Sequence, residues 1–127
     1  MREQAHLRIN ASNREESMAR VLSRAGFPEG TVLHAHRAAA SALTALFAHN
    51  GWACTSDQCE ALCNLLDSHQ ITSPREVLDA ARVLDEQAQL VTAQPGTEPP
   101  NADDASTALD RAKCVRNFVN TVLTRQS

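Results

Sequence analysis

Cys54, Cys59, Cys63 and His69 lie within one sixteen-residue stretch. Three thiols and an imidazole form a donor set that zinc accepts. Cys59 and Cys63 are four residues apart, so a helix would present both on one face. The spacing matches no common C-x2-C pairing, and Cys54 and His69 flank opposite ends of the helix that would carry the other two. A helix of ten residues is about 15 Å long, too long for groups at both ends to reach one tetrahedral ion. The residues therefore favour Cys59 and Cys63 as small buried core side chains. No metal and no cofactor is expected from the sequence.

His34, His36 and His49 fall on one apolar-striped segment, with Arg37 beside His36. A histidine base needs an orienting group and a nucleophile or substrate position, and the sequence identifies neither. These residues read as solvated or interface side chains, with His36 and Arg37 placed to face a partner or a phosphate. Arg111, Lys113, Arg116 and Arg125 share the last segment. Arg111 and Lys113 stand about 200° apart on a helix, so they do not form one phosphate-facing stripe. The net charge of −3 and pI of about 5.9 weigh against unaided binding to nucleic acid. The sequence contains no glycine-rich phosphate loop, no G-x-S-x-G elbow and no H-E-x-x-H pair, which removes the common nucleotidase, hydrolase and metalloprotease readings. The balance favours a protein that is not an enzyme.

The elements that must position these groups are helical. Apolar residues make up 43% of the 127 residues, yet aromatics are only 3% and tyrosine is absent. Alanine and leucine must do most of the packing, and both favour helix. No alternating run suits a strand. Arg2–Ala25 carries Leu7, Ile9, Met18, Val21 and Leu22. Its second half, from Arg14, has helical spacing and stops at Gly26. The Asn10–Ala11–Ser12–Asn13 patch offers a cap for a fresh start inside the segment. Pro28 opens a second helix that runs to about Asn50–Gly51, with Val32, Leu33, Ala39, Ala40, Leu43, Leu46 and Phe47 in a broad stripe. The link between the two is short enough to demand an antiparallel hairpin.

Ser56 reads as the N-cap of a short helix that carries Cys59, Leu62, Cys63 and Leu66 and ends near Ser68. Ser73 and Glu76 have capping-box spacing around Pro74, opening a helix lined by Val77, Leu78, Ala81, Leu84, Ala88 and Val91. Gln94–Asp104 holds three of the five prolines and predicts a loop. A last helix is predicted over about Ala105–Thr124. The sum is an all-α, antiparallel up-and-down four-helix bundle with one additional short helix. It is expected as a single domain over residues 1–127, either complete or part of a larger protein. No stretch approaches the roughly 18 apolar residues of a membrane span. The polar N-terminus does not read as a secretory signal, so the expected setting is cytoplasmic with reduced thiols.

The stretch from Met18 through Ala25–Gly26–Phe27–Pro28–Glu29 and Val32–Leu33–His34–Ala35–His36–Arg37 to Ala42–Leu43–Thr44–Ala45–Leu46 resembles the first helical hairpin of HEPN domains. These are helical modules of prokaryotic nucleotidyltransferase partners, toxins and many larger proteins. Ala81–Arg82–Val83–Leu84–Asp85, a proline-rich loop, then Ala108–Leu109–Asp110–Arg111–Ala112 and Phe118–Val119 follow the family's order. The resemblance covers about Ser12–Leu123 and implies a four-helix bundle that often dimerises. Ribonuclease members carry an arginine, four to six residues and then a histidine on the last helix, paired across the dimer. The candidate arginines here are Arg111 and Arg116, and no histidine follows either. Asn117 matches the polar residue often next to that arginine, but Thr121 stands where a histidine is wanted, and threonine cannot act as an acid or base near neutral pH.

The resemblance therefore implies a non-catalytic HEPN-like module for homodimerisation or partner binding. Trp52, Phe47, His36 and Arg37 are the interface candidates, with Trp52 either a hot spot or a cap on the core. The alternative is a divergent HEPN ribonuclease or toxin using Arg116 and Asn117 on RNA, or an accessory domain of a larger nucleic-acid enzyme such as a helicase.

Overall fold

A computed structural model describes residues 2–93 and 98–126. Five helices follow one another: α1 (Arg2–Arg24), α2 (Pro28–Asn50), α3 (Cys59–Ser68), α4 (Arg75–Thr92) and α5 (Ala102–Arg125). No strand occurs among the described residues, and none of the helices is long and apolar enough to cross a membrane.

α2 is the central element and packs against each of the other four. Its buried positions include Ala35, Ala38, Ala39, Ala42 and Ala45 alongside Val32, Leu43, Leu46 and Phe47. Alanine at so many contact positions lets neighbouring helix axes approach closely, and the large side chains fill the space between them. α1 and α2 form the expected hairpin. Gly26 takes the left-handed conformation (φ +84°), and the Phe27 amide donates back to the Leu22 carbonyl at 2.9 Å, closing α1 in a Schellman-type turn. Gly51 (φ +70°) ends α2 in the same way, with the Trp52 amide on the Phe47 carbonyl.

α1 differs from its predicted form. It is continuous from Arg2, and the Asn10–Asn13 patch caps nothing. Its inner face is Ala5, Ser12, Glu16 and Ala19, with Ile9 partly buried between them. Ser12 is accommodated there because its hydroxyl donates to the Ala38 carbonyl of α2 at 2.6 Å. The apolar residues Leu7, Met18 and Val21, by contrast, are 62%, 46% and 58% exposed. They lie on the opposite side of the helix.

Three other starts differ from expectation. α3 begins at Cys59 with Gln58 as its N-cap and no local side-chain cap; Ser56 instead accepts the Gln58 amide. At α4 the capping box does not form. Pro74 itself occupies the N-cap position, and its carbonyl accepts the Val77 and Leu78 amides. α5 starts at Ala102, because Asn101 and Asp104 make a reciprocal capping box: the Asp104 amide donates to Asn101 Oδ1 and the Asn101 amide to Asp104 Oδ2, both at 2.9 Å. Of the predicted Gln94–Asp104 loop, 98–101 is non-helical and 102–104 belongs to α5, while 94–97 lies outside the described residues.

Candidate functional site

Two carboxylates buried between helices organise the polar interior. The first is Asp85 on α4. Its Oδ1 accepts the Cys59 amide at 2.8 Å and its Oδ2 accepts the Glu60 amide at 2.9 Å. These are first-turn donors of α3 that no local residue satisfies, so a carboxylate 26 residues beyond Cys59 acts as the N-cap. Negative charge at this helix end is also favoured by the peptide dipoles. His36 of α2 completes the arrangement, with Nε2 2.7 Å from Asp85 Oδ1. Burial alone would raise the Asp85 pKa, but the hydrogen bond from His36 and those from the two amides outweigh it and hold the carboxyl below its ordinary range.

The Cys59 thiol sits within the same cluster. The ligating atoms of His36, Cys59 and Asp85 all lie within 4.8 Å of one another. Burial pushes the thiol well above its ordinary pKa, and the negative charge of Asp85 adds to the shift. Cys63 is raised by burial as well. Cys59 is therefore a protonated thiol under ordinary conditions, not a free nucleophile. Of the cluster, Asp85 lines a cleft of about 330 Å³ together with Glu60, Arg82, Glu86 and Gln89. Three helices supply one group each, so no local spacing in the sequence announces it. Cys59 was legible as buried, but its partners are 23 and 26 residues away.

The second carboxylate is Glu16 on the inner face of α1, only 4% exposed. One oxygen binds Nη1 of Arg116 on α5, and the other accepts from Nη2 of Arg20 at 3.0 Å. Arg116 and Asn117, paired in the alternative RNA reading, do not act on the same space. Arg116 turns to Glu16, while Asn117 lines a cleft of about 490 Å³ between α5 and the start of α4, with Thr121, Arg125 and Glu76. Cys114 borders that cleft too, its pKa raised by burial and by Glu76.

The interface candidates are dispersed. Phe47 is 1% exposed and belongs to the core. His36 is tied to Asp85. Trp52 is half-buried and stacks on His69, with ring centroids 3.9 Å apart and an interplanar angle of 6°, edge-on to Phe47. That is a lid over one end of the core. Arg37 alone of the four is exposed. Cys54 is exposed, and Cys59 and Cys63 are buried, so the local four-residue donor set does not assemble.

This five-helix arrangement matches known proteins. The HEPN domain family model matches residues 5–122, and the chain belongs to that family. Its members are often ribonucleases or associates of nucleotidyltransferases. Three solved structures share the fold. TT1696 from Thermus thermophilus has a TM-score of 0.82 at 23% identity, covering 93% of this chain and 97% of its own. An HEPN domain protein from Thermotoga maritima, tm0613, has a TM-score of 0.82 at 23% identity, covering 94% and 99%. ST0689, described as an archaeal HEPN homologue, has a TM-score of 0.79 at 19% identity, covering 93% and 96%. At these identities the likeness establishes the fold. No curated protein matches the chain.

Proposed function

We propose that this HEPN domain is a non-catalytic association module that pairs with a second copy of itself through the outer face of α1. The observation that carries the proposal is the exposed apolar row Leu7, Met18 and Val21, continued at the helix end by Phe27 at 60% exposure. Singly exposed apolar residues are ordinary, but a row along one helix face points to a partner. From Leu7 to Val21 the row runs about 21 Å. A two-fold axis across such a row lays it against its own image, which is what an isologous interface requires. Arg14 and Glu15 sit at its middle, beside a shallow cleft of about 250 Å³ that Ala11, Met18 and His34 complete. A two-fold axis near position 14 would set Leu7 of each copy against Val21 of the other, while Glu15 stays paired with His34 of its own chain.

The absence of catalysis is supported by Arg116. A ribonuclease site in this family needs its last-helix arginine facing RNA with a histidine nearby. Here that arginine is bound to Glu16, and no histidine follows it in the chain. The test is light scattering during size exclusion of the wild type and of Met18→Glu and Val21→Glu. The expected wild-type mass is twice the 13.8 kDa of one chain, falling to a single chain in both variants with unchanged helical circular dichroism. A wild type that is monomeric at concentrations on the order of tens of micromolar, where a functional self-association should be populated, or variants that stay paired, would refute the α1 interface.

A further inference from the structure

We propose that His36, Cys59 and Asp85 form a three-residue binding site for a divalent transition metal of the zinc class, reached from the adjoining cleft on the side of Asp85. The donors are one imidazole nitrogen, one sulfur and one carboxylate oxygen, from α2, α3 and α4. All three lie within 4.8 Å of one another. A tetrahedral ion with bonds of about 2.0–2.3 Å holds its ligands roughly 3.3–3.5 Å apart. The 2.7 Å between His36 Nε2 and Asp85 Oδ1 would open by about 0.6–0.8 Å, and the sulfur would close in by up to about 1.3 Å.

The surroundings suit an ion. The Asp85 carboxylate is anchored by the Cys59 and Glu60 amides, which fixes its direction before any metal arrives, as supporting hydrogen bonds do in established sites. His36 is aimed by the same carboxylate. The cleft of about 330 Å³ is rimmed by Glu60, Glu86 and Arg82; Arg82 pairs with Glu60, which leaves Glu86 as the carboxyl group on this rim that favours cation entry. A sulfur donor selects against magnesium and calcium and for zinc or cobalt. On binding, the Cys59 S–H bond breaks, its proton leaves to solvent and the thiolate joins the ion. The hydrogen that Nε2 of His36 donates to Asp85 is exchanged through solvent for one on Nδ1, so that the imidazole binds in its neutral form through Nε2 and the metal replaces that hydrogen between the two residues; the ligand charges of Asp85 and Cys59 balance the dication.

The arrangement also has a purely structural use, since Asp85 caps α3 without any metal. The experiment separates the two. Metal-free wild-type protein is titrated with Co²⁺ alone and then with Zn²⁺, under reducing conditions. The expected result is one equivalent bound, with a thiolate-to-cobalt charge-transfer band and intense tetrahedral d–d absorption, both removed by Zn²⁺. Cys59→Ala abolishes the charge-transfer band. His36→Gln weakens binding at least about tenfold. Cys54→Ser and Cys114→Ser, which alter thiols outside the cluster, change neither. Failure of the wild type to show a thiolate band at excess Co²⁺ overturns the proposal, as does a band that survives in Cys59→Ala or vanishes in Cys54→Ser. Should Cys59→Ala lose its fold, His36→Gln decides: unchanged cobalt affinity in that variant contradicts the site.

Discussion

The two buried carboxylates solve the same problem with different consequences. Glu16 is saturated by cations, with Arg116 on one oxygen and Arg20 on the other. It makes Arg116 a strut between α1 and α5. Asp85 is satisfied chiefly by neutral backbone amides, with a histidine as its third partner and a thiol alongside. Its partners can rearrange without stranding a charge, and a cleft reaches the carboxylate itself. Full ionic pairing thus removes a polar cluster from chemistry, whereas capping by amides leaves one that still has donors to offer. A buried charge tolerates the loss of its counter-charge poorly, and that asymmetry is measurable.

Glu16→Ala should have the largest effect. It leaves the Arg116 guanidinium, only 23% exposed, without its partner, and about 3 kcal/mol of stability should be lost. Thermal unfolding would register this as a fall in Tm of roughly 10 °C. Asp85→Asn should cost less, about 2 kcal/mol, with amide exchange accelerated mainly in the first turn of α3. Since α1 and α4 share no direct packing, the double variant should lose the sum of the two within about 0.5 kcal/mol. A clear departure from additivity in urea unfolding would show that the regions are coupled.

A pH series sharpens the contrast. The Asp85 carboxyl lies below its ordinary value when folded. Its contribution is therefore complete above the unfolded value of about 3.9, and is lost as pH falls through the folded value. In metal-free protein, the stability gap between wild type and Asp85→Asn should hold from about pH 7 to about 5 and narrow below about 4. A gap that widens on acidification would reverse the assignment. The smallest effect belongs to neither carboxylate. Gln70 takes the left-handed conformation at φ +66° just beyond α3, which costs a non-glycine residue about 1 kcal/mol. Gln70→Gly should raise stability by about 0.5 kcal/mol in urea unfolding, since the glycine's added unfolded-state entropy offsets part of the gain.

The helices were legible because alanine and leucine recur at helical spacing and because Gly26, Pro28 and Gly51 mark stops and starts through local backbone chemistry. What local pattern could not show lay at long range. Of the apolar residues that mark α1, Leu7, Met18 and Val21 lie on its outer face, and Ile9 is partly buried. Its inner face holds Ser12 and Glu16, acceptable only because Ala38 and Arg116 stand opposite. The α3 cap is likewise invisible near Ser56, since Asp85 supplies it from α4. The cluster at Cys59 escaped for a related cause: Cys59 was weighed with its sequence neighbours Cys54, Cys63 and His69, while His36 and Asp85 reach it only through the packing of three helices. The missing histidine after Arg116 needed no structure, because an absent residue type is visible in the chain itself.

Arg116 is paired with Glu16, and the proposal that this domain does not cut RNA rests on that pairing. The most direct test is cleavage of single-stranded RNA by equal amounts of wild type and Arg116→Ala, each shown to be helical. Neither should exceed the buffer blank, and the two should be indistinguishable. Cleavage by the wild type that disappears in Arg116→Ala would contradict this assignment.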